Sequence, residues 1–66
     1  MVQKVIDVVG VSPVSFAKAA QNAVSEAAKT VRGMRWARVG EMELERDGAQ
    51  IKAYRATVRI YFNLVR

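Results

Sequence analysis

Residues 35–65 have the sequence RWARVGEMELERDGAQIKAYRATVRIYFNLV, in which two alternating segments flank a tight turn. From Arg35 to Glu45, every second residue falls on the same side of an extended chain, as in a β-strand. Asp47-Gly48 is a pair favoured in hairpin turns, and the chain returns through a second alternating segment, 50–65. This stretch predicts a long β-hairpin and takes up almost half of the chain, so it decides the fold.

The alternation gives each strand of the hairpin two different sides. One side of the first strand carries Trp36, Arg38, Gly40, Met42 and Leu44. Its other side carries Ala37, Val39, Glu41, Glu43 and Glu45. The returning strand has an apolar row, Tyr54, Ala56, Val58, Ile60, Phe62 and Leu64. Its second row is mixed and basic: Ile51, Ala53, Arg55, Thr57, Arg59, Tyr61 and Asn63.

The segment before the hairpin contains a predicted strand and a predicted helix. Residues 3–9 are rich in β-branched side chains and are followed by Gly10, a pattern typical of a strand that ends there. With the helix, these elements give the order β-α-β-β in one α+β domain, residues 1–66. This order makes the sheet wholly antiparallel if the third strand lies between the other two.

The helix is predicted from Phe16 to about Arg32, where the composition changes to Ala, Gln, Glu and Lys. Ser12-Pro13 offers an N-cap followed by proline at the first helical position, and Ser15 is an alternative cap. Gly33 fits a left-handed C-terminal cap. The predicted apolar face consists of Phe16, Ala20, Ala23, Val24, Ala27 and Val31.

The length of the third strand favours an oligomer. About 16 residues at roughly 3.3 Å each span some 50 Å, whereas a compact domain of this size has a radius of gyration of only about 11 Å. The strand ends must therefore overhang, curl or run along a neighbouring subunit. A single helix also covers only one face of the sheet, so the other face needs a partner.

Composition excludes several classes of function. The 66 residues include no cysteine and no histidine, so disulfides, the usual zinc sites and the common nucleophile–base pairs are absent. This argues against an enzyme that uses its own side chains. The sequence has no apolar run near 18 residues and no signal-peptide pattern, so we expect a cytoplasmic protein without a membrane partner. The net charge is +5, but the basic residues are scattered, which gives little support to nucleic-acid binding.

Trp36 is the only tryptophan and is closely flanked by Arg35 and Arg38. One interpretation is an anchor in the core or in an interface. The other is a flat platform for an electron-poor or anionic ring system, with the guanidinium groups beside it. The spacing leaves both interpretations open.

The roles of Arg55 and of the hairpin glutamates can also be interpreted in two ways. Arg55 is predicted on the same face as Trp36 or its symmetry mate, where its fork of donors suits carbonyls or phosphate. An ion pair with an acidic residue of this or another subunit is equally compatible with that position. Glu41, Glu43 and Glu45 share one predicted strand face, and we favour a solvated or salt-bridged role over cation binding. No metal site is predicted.

Four segments stand out together: 4–12 (KVIDVVGVS), 27–32 (AAKTVR), 35–39 (RWARV) and 54–62 (YRATVRIYF). In their order and spacing, over nearly the full length, they resemble the dodecin family, small flavin-binding proteins of archaea and bacteria. The resemblance implies a protomer whose sheet partly wraps its helix, and a hollow homododecamer of 23 symmetry. It also implies that flavins stack in pairs between tryptophans of two-fold-related subunits, and Trp36 matches that tryptophan. Such proteins store riboflavin or flavin mononucleotide (FMN) and catalyse no reaction.

The sequence departs from the family pattern at Arg55. At this position, flavin-binding members have a glutamine that hydrogen-bonds the flavin ring. Some members without flavin are described as cation-binding assemblies, and an arginine at this position is compatible with them. The sequence predicts a flavin-binding storage protein in which Trp36 stacks on the ring, Arg55 contacts its edge or phosphate, and Arg35 and Arg38 make the pocket positive. The alternative is a dodecin-like shell without flavin, stabilised by salt bridges or bound cations.

Overall fold

The computed structural model describes residues 2–63, in which a three-stranded sheet carries one helix on one face. Strand β1 spans Gln3–Ser12, helix α1 spans Phe16–Ala28, strand β2 spans Met34–Asp47 and strand β3 spans Gln50–Asn63. Strand β3 lies between β1 and β2 and is antiparallel to both. The predicted β-α-β-β order and antiparallel sheet are therefore confirmed. The predicted end of the third strand, 64–65, lies outside the described residues.

Strand β1 continues through Gly10 to Ser12 and does not stop at Val9 as predicted. Gly10 marks a close approach of the helix, because a Cβ atom at this position would lie 1.8 Å from the carbonyl oxygen of Ala19. The glycine therefore serves packing within the strand, where the sequence pattern indicated a strand end.

Helix α1 begins at the alternative cap, Ser15, whose hydroxyl accepts a hydrogen bond from the backbone N–H of Lys18 at 3.0 Å. The prediction of Ser12-Pro13 as the cap is wrong. Ser12 is the last residue of β1, and its buried hydroxyl accepts from the backbone N–H of Val14 at 3.0 Å. The serine thus stabilises the turn that precedes the helix.

Helix α1 ends at Ala28, one turn short of the predicted Arg32. The backbone N–H groups of Thr30 and Val31 both donate to the carbonyl of Ala27, so the last turn closes there. Gly33 does adopt a left-handed conformation, with φ of 75°. It lies in the connection to β2, however, and does not cap the helix. Among residues 2–63, no helix has the length and hydropathy of a membrane-crossing segment.

A stripe of alanines joins the helix to the sheet. Ala19, Ala23 and Ala27 are buried on α1. Ala23 and Ala27 pack with the buried Val58 and Ile60 of the central strand, and Ala19 lies against Gly10 of β1. Ala19 was absent from the predicted apolar face, although Ala23 and Ala27 were correctly included. Small side chains let the helix lie close to the sheet, in keeping with the contact at Gly10.

Halfway along β2, a bulge changes which alternate residues point to the helix side of the sheet. Val39 pairs with Val58 and Met42 pairs with Ala56, so two residues of β2 lie opposite Thr57 in a β-bulge. The predicted side assignment is therefore wrong beyond Val39. Met42 and the following Leu44 share the helix side of the sheet, and Glu43 and Glu45 share the side of Trp36 and Arg38.

The hairpin projects beyond the helix. Strands of 14 residues measure roughly 46 Å, whereas the helix of 13 residues measures roughly 20 Å. The protein is accordingly elongated, at 50 by 19 by 13 Å. We call residues 42–51 the arm; its exposed apolar side chains are Met42, Leu44 and Ile51.

Candidate functional site

The face of the sheet opposite the helix holds most of the candidate residues, and we call it the open face. Cross-strand partners lie on the same face of a sheet, so the pairing register identifies its members. Strand β1 contributes Val5, Asp7, Val9 and Val11. Strand β3 contributes Arg55, Thr57, Arg59 and Tyr61. Strand β2 contributes Trp36, Arg38, Glu43 and Glu45.

An aromatic pair occupies one end of the open face. Trp36 lies opposite Tyr61, and the two rings stack with centroids 5.1 Å apart and an angle of 28° between their planes. Trp36 remains 56% exposed, and its neighbour across β3, Val5, is exposed as well. The result is an apolar platform on which a further flat ring can stack.

Trp36 is directed to the open face by an irregularity at Arg35. Met34 pairs with Phe62 and Trp36 pairs with Tyr61, so Arg35 is the extra residue of a bulge. Arg35 is exposed beside Trp36 and lines a small cavity between α1 and β2, together with Val24, Met34, Ala37 and Ile60. The structure therefore brings Arg35 and Trp36 together.

The next row of the open face is charged. Asp7, Arg59 and Arg38 lie side by side on the three strands. The Nε of Arg59 donates to Oδ1 of Asp7 at 3.1 Å. This hydrogen bond and the charge of Asp7, with a smaller effect of Tyr61, raise the pKa of Arg59 above its ordinary value.

A cavity of about 220 Å³ opens beside this charged row. Its lining consists of Asp7, Arg38, Gly40, Glu41, Thr57 and Arg59. Two guanidinium groups and two carboxylates therefore line the same small space. Like charges directly opposite each other, as Arg38 and Arg59 are, destabilise a pair of strands unless another group compensates them.

Arg55 lies on the open face, as predicted, but far from Trp36 within one chain. Arg55 and Tyr61 are six residues apart on β3, which separates the row of Arg55 from that of Trp36 by about 20 Å. The cross-strand neighbours of Arg55 are Glu43 and Val11. One protomer therefore brings Trp36, Arg35 and Arg38 together and leaves Arg55 beside a glutamate.

The glutamates do not form the continuous row that the sequence predicted. Glu41 lies in the bulge and lines the cavity near Arg38, whereas Glu43 and Glu45 lie opposite Arg55 and Ala53. Within residues 2–63, no three acidic side chains come close enough together to hold a metal ion.

Tyr61 and Arg59 are part of this site and were not among the predicted site residues. If the two strands are paired residue by residue, starting from the turn, Trp36 lies opposite Tyr61 and Arg38 lies opposite Arg59. Both pairs are observed in the structure. The count succeeds because the extra residue in β2 near Gly40 is offset by one in β3, between Ile51 and Ala53. The signal for both residues was therefore present in the sequence.

Comparison with known proteins agrees with this architecture. The family model named Dodecin matches residues 2–65. The calcium dodecin of Mycobacterium tuberculosis is 40% identical over 63 residues, which cover 96% of this chain and 89% of that protein. Its crystal structure, described as that of a calcium-chelating antigen, matches with a TM-score of 0.86 at 38% identity, over 98% of this chain and 93% of that chain.

Other solved dodecins superpose at least as well. The dodecin of Streptomyces coelicolor has a TM-score of 0.93 at 28% identity, over 98% of this chain and 93% of that chain. The dodecin of Streptomyces davaonensis has a TM-score of 0.92 at 28% identity, over 98% and 96%. With the family model, the curated relative and the solved structures in agreement, this chain belongs to the dodecin family.

Proposed function

We propose that this protein binds and stores flavin, as riboflavin or FMN, in a hollow homododecamer of 23 symmetry, without catalysing a reaction. Trp36 stacks on the isoalloxazine ring, and Arg35 and Arg38 make its surroundings positive. Arg55 reaches a flavin edge only if that flavin lies against a neighbouring subunit, because about 20 Å separates it from Trp36 within one chain.

The observation that carries the proposal is the exposure of Trp36. A large indole that is 56% exposed on one protomer, while Tyr61 supports its ring, is positioned to receive another flat ring. Stacking of this kind contributes about 1–3 kcal/mol per ring, by analogy with nucleobases on aromatic side chains. Members of the dodecin family are small binding proteins, and storage requires a ring platform and no nucleophile.

Equilibrium dialysis of riboflavin against wild-type protein and Trp36→Leu tests the proposal. The variant keeps an apolar side chain but lacks the ring face, so we expect its Kd to rise at least tenfold, which corresponds to about 1.4 kcal/mol. Lys52→Gln, an exposed change just beyond the arm on β3, serves as the matched control and should bind as wild type does. Equal affinity of Trp36→Leu and wild type would contradict the proposal, provided that size exclusion shows the same particle for both.

The second candidate is a dodecin-like shell without flavin, stabilised by salt bridges or bound cations. It is favoured by the 40% identity to a calcium dodecin and by the position of Arg55 opposite Glu43. Because one protomer shows no metal-binding cluster within residues 2–63, the cation would take carboxylates from several copies. In this case Ca²⁺ added after EDTA treatment raises Tm and riboflavin does not; the flavin proposal predicts the reverse.

A further inference from the structure

The aromatic pair and the arginine pair occupy neighbouring rows of the open face. Trp36 and Tyr61 form one row, and Arg38 and Arg59 form the next. The two rows are two residues apart along each strand, which is about 7 Å. A ring stacked on Trp36 therefore has two guanidinium groups within reach of a short side chain on that ring.

The donors of these guanidinium groups are only partly used. Asp7 accepts a hydrogen bond from the Nε of Arg59, so the two terminal nitrogens of the Arg59 guanidinium group remain available as donors. The Arg38 side chain makes neither a hydrogen bond nor an ion pair with any other described residue of 2–63. An oxyanion between the two side chains would offset their mutual repulsion and receive charge-assisted hydrogen bonds from both.

We propose that Arg38 and Arg59 form the phosphate-binding part of the flavin site and make the protein select FMN over riboflavin. This inference rests on the proposed function, since the flavin ring on Trp36 brings the phosphate to the cavity beside Gly40 and Thr57. Arg59 is thereby assigned a role in ligand specificity, and Arg55 is not, because it lies about 20 Å from the aromatic pair in one chain.

The acidic residues of the same cavity limit the affinity for an anion. Asp7 is engaged with Arg59, whereas Glu41 has no hydrogen-bond or ion-pair partner among residues 2–63 and brings an unneutralised carboxylate near the phosphate. Removal of the Glu41 charge should therefore strengthen the binding of FMN and leave that of riboflavin unchanged. Removal of the Arg38 charge should have the opposite effect on FMN alone.

The test measures Kd for FMN and for riboflavin with five proteins: wild type, Arg38→Gln, Arg59→Gln, Glu41→Gln and Arg55→Gln. We expect wild type to bind FMN about tenfold more tightly than riboflavin. Arg38→Gln should lose most of this preference, Glu41→Gln should increase it, and Arg55→Gln should retain it. Arg59→Gln should resemble Arg38→Gln, and the preference should shrink as salt is added, because these side chains are exposed.

The outcomes separate this inference from the proposed function. Equal binding of both flavins by wild type, or an FMN preference that survives in both Arg38→Gln and Arg59→Gln, would overturn the assignment of the phosphate and leave flavin storage standing. Loss of the FMN preference in Arg55→Gln alone would indicate that Arg55, and not Arg38 or Arg59, binds the phosphate. If neither flavin binds to wild type, the proposed function and this inference both fail.

Discussion

At the scale of single residues, Gly10 sets the distance between helix and sheet. A Cβ atom there would lie 1.8 Å from the carbonyl oxygen of Ala19 and 2.9 Å from the backbone nitrogen of Ala23. Both atoms belong to the helix backbone, so neither can move aside as a flexible side chain would. The alanine stripe of α1 packs against β1 and β3 only because this position lacks a side chain.

Gly10→Ala should therefore lower the free energy of unfolding by about 3 kcal/mol, at the upper end of the range for overpacked sites. Gly40→Ala is the matched control, because its Cβ would meet the carbonyl oxygen of Thr57 at an ordinary 3.5 Å. That change should alter stability by less than about 1 kcal/mol. Chemical denaturation of the two variants checks the prediction, and equal stabilities would show that the helix tolerates displacement from β1.

At the scale of elements, the N-terminus of α1 depends on one hydroxyl. Ser15→Ala removes the acceptor of the Lys18 backbone N–H and should destabilise the protein by about 1 kcal/mol. Ser25→Ala, at an exposed position within the same helix, should be neutral or slightly stabilising because alanine has the higher helix propensity. Thermal unfolding followed by circular dichroism compares the pair, and a neutral Ser15→Ala would place the helix start elsewhere.

The elements also show how far the sequence could predict this fold and its site. The β-α-β-β order, the turn at Asp47-Gly48 and the burial of Ala23 and Ala27 follow from local patterns and agree with the structure. The side assignment of Met42 and Glu43 failed because a bulge inserts a residue without disturbing the alternation of the sequence. The role of Gly10 was also mispredicted, as the end of a strand. The glycine is needed for close packing against Ala19, and this tertiary contact cannot be recognised from the local sequence.

For the whole molecule, the arm is amphipathic, and its apolar side is exposed in one protomer. Met42 is 58% exposed and Leu44 is 46% exposed on the helix side, whereas Glu43 and Arg55 lie on the open face. In the proposed dodecamer, we expect a neighbouring copy to cover this apolar side. An isolated protomer leaves about half of each of these two side chains exposed to water.

The double variant Met42→Thr with Leu44→Thr should therefore break the assembly into smaller species while the β-rich circular dichroism spectrum is retained. Threonine keeps the strand propensity but removes most of the apolar surface. Analytical ultracentrifugation compares this variant with wild type and with Lys52→Gln, an exposed change next to the arm. A particle of unchanged mass would contradict the role of the arm in assembly.

A fluorescence titration of the assembled wild-type protein with riboflavin tests whether a flavin ring stacks on Trp36. Trp36 is the only tryptophan, so indole emission reports on this site alone. We expect mutual quenching of indole and flavin emission that saturates near one flavin per chain. Unchanged emission from both, with a particle that remains large by size exclusion, would show that no flavin stacks on Trp36 and would favour the shell without flavin.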